Sequence, residues 1–400
     1  DGFPNLTDLN PYDRLVDANG EGLPVPQNYN VRFEEQAMEQ GALDWNYVPL
    51  DEIGLSPTQS IQNEFRLTLG LDYKIWKGLG AQVNYQYWNS NATQDKLNSQ
   101  RSYFSRNLVN LFTEFPAEGG VLRNIPEGSI YDYGNTQSES HTIRGQLNYS
   151  EQWSSSHELT ALAGFEVKDF QSESKNNRIY GYDAATGIPK AVNYQVLYRQ
   201  LNTGFQSYIP FEDSFDGRIS RYISYFANAG YTYSQKYLLN ASVRSDASNL
   251  YGVEANLKRV PLWSAGLGWI ASEEEWLAAP WLDYLKLKAS YGFNGNTNPA
   301  ATAYTTAVLF GASLNPWVNQ PWLSVLNPPN PQARWEKIKI VNAGFEFELF
   351  KGKLRGSMEG YKKEGIDLFG EQPFYPSSGN SVVTRNYANT RTYGADIELS

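Results

Sequence analysis

From Phe65 to Tyr73 the chain alternates without a break: Phe65, Leu67, Leu69, Leu71 and Tyr73 are apolar, and Arg66, Thr68, Gly70 and Asp72 fall between them. Strict alternation over so many residues is the signature of a β-strand whose two faces meet unlike surroundings, because successive side chains point to opposite sides. The pattern recurs along the chain, at Leu79–Tyr87, at Ile143, Leu147 and Tyr149, at Leu159–Val167, and at Tyr225–Tyr233 followed by Tyr237–Val243. It continues at Trp263–Trp269, Leu285–Phe293, Val341–Leu349, Leu354–Met358 and Tyr393–Leu399. Eleven strands of about 9 to 13 residues are therefore expected, and the connections between them alternate short and long. A strand of roughly 9 to 11 residues crosses a tilted bilayer, and bacterial outer-membrane barrels join strands by short periplasmic turns and long extracellular loops. A soluble sandwich or propeller has shorter strands, near five or six residues, and has no need of an uncharged outer face.

Composition agrees with a wall that is half lipid-facing and half wet. The chain carries 28 Tyr, 19 Phe and 11 Trp, yet its mean hydropathy is -0.53. No apolar run approaches the roughly 20 residues of a spanning helix. Cysteine is absent, which removes disulfides and thiolate metal sites. The net charge of -10 comes without a Lys/Arg cluster, so no nucleic-acid partner is expected. The opening residues, DGFPNLTDLNPYDRL, have no targeting pattern and read as mature or internal sequence.

The expected fold class is all-β, a transmembrane antiparallel β-barrel. Residues 1–60 read as an extracellular loop region and 61–400 as strands with their turns and loops. Single-chain bacterial barrels normally have an even strand number. Eleven is odd, so the chain is expected to be a segment of a larger barrel.

Several blocks resemble the SusC/RagA family of TonB-dependent outer-membrane transporters of Bacteroidota. The most specific is NPQARWEKIKIVNAGFEFELFKGKLRGSMEGYKKEGIDLF at 330–369, and SYFANAGYTYSQKYLLNASVRSDASNLYG at 224–252 is similar to that family's hairpin and Arg-Asp-Ser loop. SAGLGWIASEEEWL, LKLKASYGFNGN, TYGADIEL and the early DWNYVPLDEI at 44–53 support it. The resemblance implies a barrel of roughly 22 strands with a plugged lumen. It also implies location in the outer membrane of a Gram-negative bacterium, a SusD-like surface lipoprotein partner and energy from the TonB complex. The implied function is active import of an oligomeric nutrient, glycan or peptide, through a wall in contact with lipid and lipopolysaccharide. The family's plug domain, TonB box and final strand have no counterpart in these 400 residues. Rival functions are a passive porin or a structural or secretion-associated barrel component.

The residues offer little enzyme chemistry and imply no cofactor. His141 and His157 sit where strands begin and read as interfacial, and neither a Gly-x-Ser-x-Gly elbow nor a phosphate loop occurs. An outer-membrane phospholipase is the weakest alternative. Glu273–Glu275 read as a solvated turn. Glu212, Asp213 and Asp216 form a second acidic run, where calcium is conceivable but a solvated loop is favoured. Asn315, Trp317, Asn319, Gln320 and Trp322 combine aromatic faces with amides, a pairing suited to a sugar or peptide ligand or to contact with a lid.

Eleven strands leave two edges, and an unpaired backbone group in hydrocarbon costs several kcal/mol. The 400 residues expressed alone should therefore give no folded, heat-modifiable band on electrophoresis. Appearance of that band would refute the segment reading.

Overall fold

A computed structural model describes residues 9–10, 12–249, 259–277, 279–296, 303–310, 322–379 and 381–400. In chain order it contains α1 (Val31–Glu39), β1 (Thr58–Trp76), β2 (Leu79–Asn98), α2 (Tyr103–Leu111), β3 (Thr113–Glu114), β4 (Leu122–Arg123), β5 (Ser129–Ser154) and β6 (His157–Tyr182). Then follow β7 (Tyr198–Arg199), β8 (Gln206–Ser207), β9 (Ser214–Tyr233), β10 (Tyr237–Ser248), β11 (Arg259–Ile270) and β12 (Leu282–Asn296). The last elements are β13 (Thr306–Phe310), β14 (Trp322–Asn327), β15 (Glu336–Leu349), β16 (Leu354–Pro373) and β17 (Val382–Leu399).

Eleven strands form one sheet in the order β1-β2-β5-β6-β9-β10-β11-β12-β15-β16-β17. Each pairs with its predecessor in the chain, and the three small hairpins β3–β4, β7–β8 and β13–β14 lie within long connections. The short connections are tight. Ser234 and Gln235 both have positive φ, 51° and 55°, and the Lys236 N–H donates to the Tyr233 carbonyl at 3.0 Å. Two successive left-handed residues give the turn whose twist matches the flanking strands.

The strands run to between 12 and 26 residues, longer than the alternation foretold. The added lengths, such as Asn89–Asn98 of β2, lack an apolar face. Hydrogen-bonded pairing continues there without the two-environment contrast that makes a strand readable.

The chain divides into two compact units. Unit 1 holds residues 1–65, 89–139 and 171–218, and unit 2 holds 66–88, 140–170 and 219–400. Unit 2 contains the antiparallel run from β10 to β17. Its register places Tyr237, Trp269, Leu287, Phe345, Met358 and Ile397 in one row across the sheet. The adjoining row is Leu239, Leu267, Ala289, Ala343, Gly360 and Ala395. These rows are uncharged, and much of their apolar surface is open, as at Leu267 (63% exposed) and Ile397 (66%). A continuous exposed apolar face on this scale belongs against lipid or protein, not water. Many of the residues that alternate with the apolar ones are polar: Asn240, Ser242, Ser264, Ser290, Lys288, Glu346 and Glu359 occupy the other face, with Leu238, Gly268 and Gly344 among them, and the Ser242 and Ser264 hydroxyls meet there at 2.6 Å.

Aromatic rings close both ends of the apolar band. Trp263, Tyr291 and Phe293 pack with centroids 5.5 to 5.8 Å apart toward the long connections. Toward the short turns lie Tyr233 against Tyr237 and Trp269 against Trp276, each pair at 6.2 Å. Amphipathic rings at these levels suit membrane interfaces. The Glu273–Glu275 run is not simply solvated: Glu274 accepts hydrogen bonds from the Tyr237 hydroxyl (2.6 Å), the Trp269 indole (3.2 Å) and Lys236 (3.3 Å), locking the turn to this ring cluster.

Arg substituted at Leu287 or Phe345 should destabilise the full-length protein by about 2–4 kcal/mol, the midplane cost of a cation on a lipid face. Arg at Ser264 or Asn240, on the polar face, should cost far less. Denaturant unfolding in lipid vesicles measures both, and equal losses at the two sets would reject the two-faced assignment.

Candidate functional site

In unit 2 the polar face of the sheet carries a hollow of about 800 Å³ whose wall includes Asn148, Thr160, Asn228, Asn240, Ser242, Ser264 and Ser290. Small side chains keep it open. Gly230 and Gly292 lie in this wall, and a Cβ on Gly292 would stand 2.5 Å from the Ser264 side chain. Several charges on this face meet opposite charges. Lys288 bridges Glu346 at 2.9 Å and Glu359, and Arg355 meets Glu348 at 2.9 Å. Arg244 reaches Asp246 at 2.7 Å and the Ser224 hydroxyl at 3.0 Å. Arg144 donates to Gln146 at 3.1 Å with its guanidinium 4.6 Å from the Phe226 ring centroid. The result is a wall rich in amides, hydroxyls and ions in contact with opposite charges, suited to letting a polar solute pass.

Unit 1 is built from residues ahead of β1, from long connections and from the adjoining ends of β1, β2, β5, β6 and β9. Asn30 caps α1 by accepting the Arg32 N–H at 2.9 Å. Trp45 is fully buried between Tyr29 and Phe33, with centroids at 5.1 and 5.5 Å, and its indole donates to Asn107 of α2 at 2.9 Å. A second core unites Val109, Phe112, Ile125, Ile130, Tyr180 and Ile209. Arg106 ties α2 to Asp44 (2.9 Å) and Glu52 (3.5 Å). Arg178 grips both Asp132 oxygens at 2.6 and 3.2 Å, reaches Glu212 at 3.3 Å and lies 5.4 Å from the Phe104 ring centroid. Burial pushes the Glu34 and Glu52 carboxyls above the ordinary value, and for Glu52 the Tyr103 N–H at 2.8 Å and Arg106 partly offset it. Burial, with Glu34 adding its charge, likewise raises the Tyr103 hydroxyl.

Of the sequence candidates, Asn315, Trp317, Asn319 and Gln320 lie outside the described residues. Trp322 opens β14, half-buried, with its backbone opposite Phe310. In the acidic run, Asp213 accepts from the Asn177 amide (2.7 Å) and the Arg178 N–H (3.2 Å), so together with Glu212 it is committed to neighbours within the protein. Among the described residues no group of three or more His, Asp or Glu is arranged to hold a metal. Each histidine meets a tyrosine: His141 Nδ1 lies 2.8 Å from the Tyr85 hydroxyl and His157 Nδ1 2.6 Å from that of Tyr231. Sequence reasoning missed the Arg106 and Arg178 hubs. The block at 44–53 was a trace of the first, since it supplies Asp44 and Glu52, and the acidic run with Glu212 was a trace of the second.

The profile of the family described as TonB dependent receptor-like, beta-barrel matches residues 2–400. TonB-dependent receptor P39 of Formosa agariphila is 26% identical over 408 residues, covering 100% of this chain and 33% of that protein. TonB-dependent receptor SusC of Bacteroides thetaiotaomicron is 26% identical over 186 residues, covering 44% of this chain and 18% of its own length. Among solved structures, the RagAB peptide transporter superposes with a TM-score of 0.72 at 18% identity, covering 96% of this chain and 38% of that one. The chain thus spans about a third of the length of the P39 receptor.

Glu34 gives a pH test of unit 1. Its folded pKa lies above the ordinary value, so its contribution to stability is full below about pH 4.3 and is lost as pH rises through the folded pKa. Glu34→Gln should therefore increase hydrogen-exchange protection of residues 31–47 at pH 7 in the full-length protein, with the gain shrinking toward pH 4. A loss of protection at pH 7 would contradict a carboxylate penalised by burial.

Proposed function

The chain belongs to the TonB-dependent receptor β-barrel family, and from that premise we propose that it is the barrel part of an outer-membrane importer. The cargo is an oligomeric nutrient, a glycan or peptide, taken up with energy from the TonB complex and in partnership with a SusD-like surface lipoprotein. The family profile over residues 2–400 carries the reading. The RagAB title supports a peptide cargo, and the lipoprotein partnership rests on the SusC/RagA resemblance of residues 224–252 and 330–369. The amide- and hydroxyl-rich polar face suits a path for a polar oligomer, with Lys288 shared between Glu346 and Glu359.

In this proposal residues 1–60 belong to the extracellular loop region and 61–400 to the barrel strands with their turns and loops. Asn315, Trp317, Asn319, Gln320 and Trp322 contact cargo or lid. The rings supply apolar faces and the amides oriented hydrogen bonds.

Uptake of fluorescently labelled peptides and of labelled oligosaccharides by cells carrying the full-length gene tests both levels. Uptake of one class should fall to background when TonB is deleted, and persistence without TonB would favour the passive porin. Trp317→Ala and Trp322→Ala should each weaken cargo or lipoprotein binding by about five- to tenfold, as truncated interface tryptophans do. Unchanged binding of both would remove these residues from the site.

A further inference from the structure

On the lipid-facing side of β15, β16 and β17 the apolar rows end in a group of cations. Lys339, Lys362 and Arg391 continue the alternation that places Phe345, Met358 and Ile397 against lipid, and all three converge on the single carboxylate of Glu364, at 3.5, 2.8 and 3.0 Å. Three positive charges around one negative leave a surplus of two. Glu364 is mostly covered, with 17% of its side chain exposed, whereas Arg391 keeps 62%. Lys339 and Lys362 keep 32% and 39%, so the carboxylate lies deeper than all three cations and Arg391 is the most outward of them.

The group stands at the long-connection end of the apolar band, near the start of β15 and about midway along β16 and β17, whose pairing runs on beyond it to Pro373 and Val382; in bacterial outer-membrane barrels that side is the cell exterior. Two of its cations lie over girdle rings, Lys339 5.6 Å from the Tyr291 centroid and Lys362 5.9 Å from that of Tyr393. It is therefore level with the outer headgroups. Below it Ala289, Ala343, Gly360 and Ala395 form a row of small residues bounded by the bulkier Leu287, Phe345, Met358 and Ile397, a shallow trough in the lipid face. Solvated salt bridges alone would call for balanced charge, and they would not need to sit above a depression in the apolar wall.

We propose that Lys339, Lys362 and Arg391 bind the phosphate-bearing headgroup of an outer-leaflet glycolipid, whose acyl chains settle over the Ala343 and Gly360 trough. Charge complementarity selects the occupant: the outward surplus is cationic, the surrounding solvent is lipid, and the anionic group available at that depth is a headgroup phosphate. The site lies on the outside of the wall and does not depend on what the lumen carries, so its failure and that of the import reading are separable.

The test is native mass spectrometry of the full-length protein in mild detergent with added purified lipopolysaccharide. The unaltered protein should retain phosphorylated glycolipid. Each cation removed should weaken retention about fivefold, equivalent to the ~1 kcal/mol a basic side chain contributes at an anionic membrane surface, and the triple variant K339Q/K362Q/R391Q by about a hundredfold. Glu364→Gln, which removes the competing anion, should strengthen retention, an effect that misfolding would not produce. Enzymatically dephosphorylated glycolipid should bind the unaltered protein as weakly as phosphorylated glycolipid binds the triple variant. Full retention by a triple variant that remains heat-modifiable would overturn the proposal. So would equal binding of dephosphorylated glycolipid, weaker retention by Glu364→Gln, or displacement by inorganic phosphate at low millimolar concentration, which would indicate a free-anion site.

Discussion

Hydrocarbon offers no partner to a backbone N–H or C=O, and every other feature of unit 2 answers to that constraint. Each strand must find its ladder in a neighbour, so the eleven strands run as an uninterrupted meander with adjacent pairing in chain order. A meander through a bilayer needs turns at one end that consume little chain. Ser234 and Gln235 at positive φ, and Phe350, Lys351 and Gly352 likewise, accept local strain of about 1–2 kcal/mol at each non-glycine residue to keep the ladder in register.

The same constraint inverts the usual distribution of apolar side chains. In unit 2 the large ones, Leu239, Leu267, Leu287 and Ile397 among them, are exposed, while fully buried ones such as Trp45, Phe112, Ile125 and Ile209 lie in unit 1. Unit 1 is organised as a water-soluble domain is, by packed aromatics and by Arg106 and Arg178 drawing several carboxylates each. Unit 2 is organised chiefly by hydrogen-bonded backbone, with a small core of Ala303, Ala333 and Trp335 packed against Leu262 and Phe369. Its polar face tolerates glycine and serine where a soluble sheet would pack methyl groups, and that face is where a solute path can exist.

This division explains what could be read from the sequence. Wherever a strand separates lipid from water the contrast is written into alternate residues, and Phe65–Tyr73 or Leu285–Phe293 are legible from nine residues of chain. In Asn89–Asn98 the contrast is missing, so the strand merges into the loop pattern although its pairing continues. Arg178 was invisible for a different reason: its partners Asp132 and Glu212 lie 46 and 34 residues away, and no local period links them. In the candidate ligand segment residue types suggested chemistry but not placement, and Trp322 alone of the five falls among the described residues.

The two ends of the apolar band of unit 2 are chemically unlike. At the short-turn end Tyr237 and Trp269 donate to the carboxylate of Glu274, and Lys236 is drawn to the same group. At the other end the rings of Tyr291 and Tyr393 lie under Lys339 and Lys362. Girdle rings serve both ends, since an amphipathic ring suits any headgroup layer. Their charged companions need not be symmetric, because fixed charge is felt within a Debye length and so responds to the leaflet beside it. Each end mixes both signs in a different proportion: one carboxylate gathers Tyr237, Trp269 and Lys236 at the short-turn end, whereas three cations share Glu364 at the other.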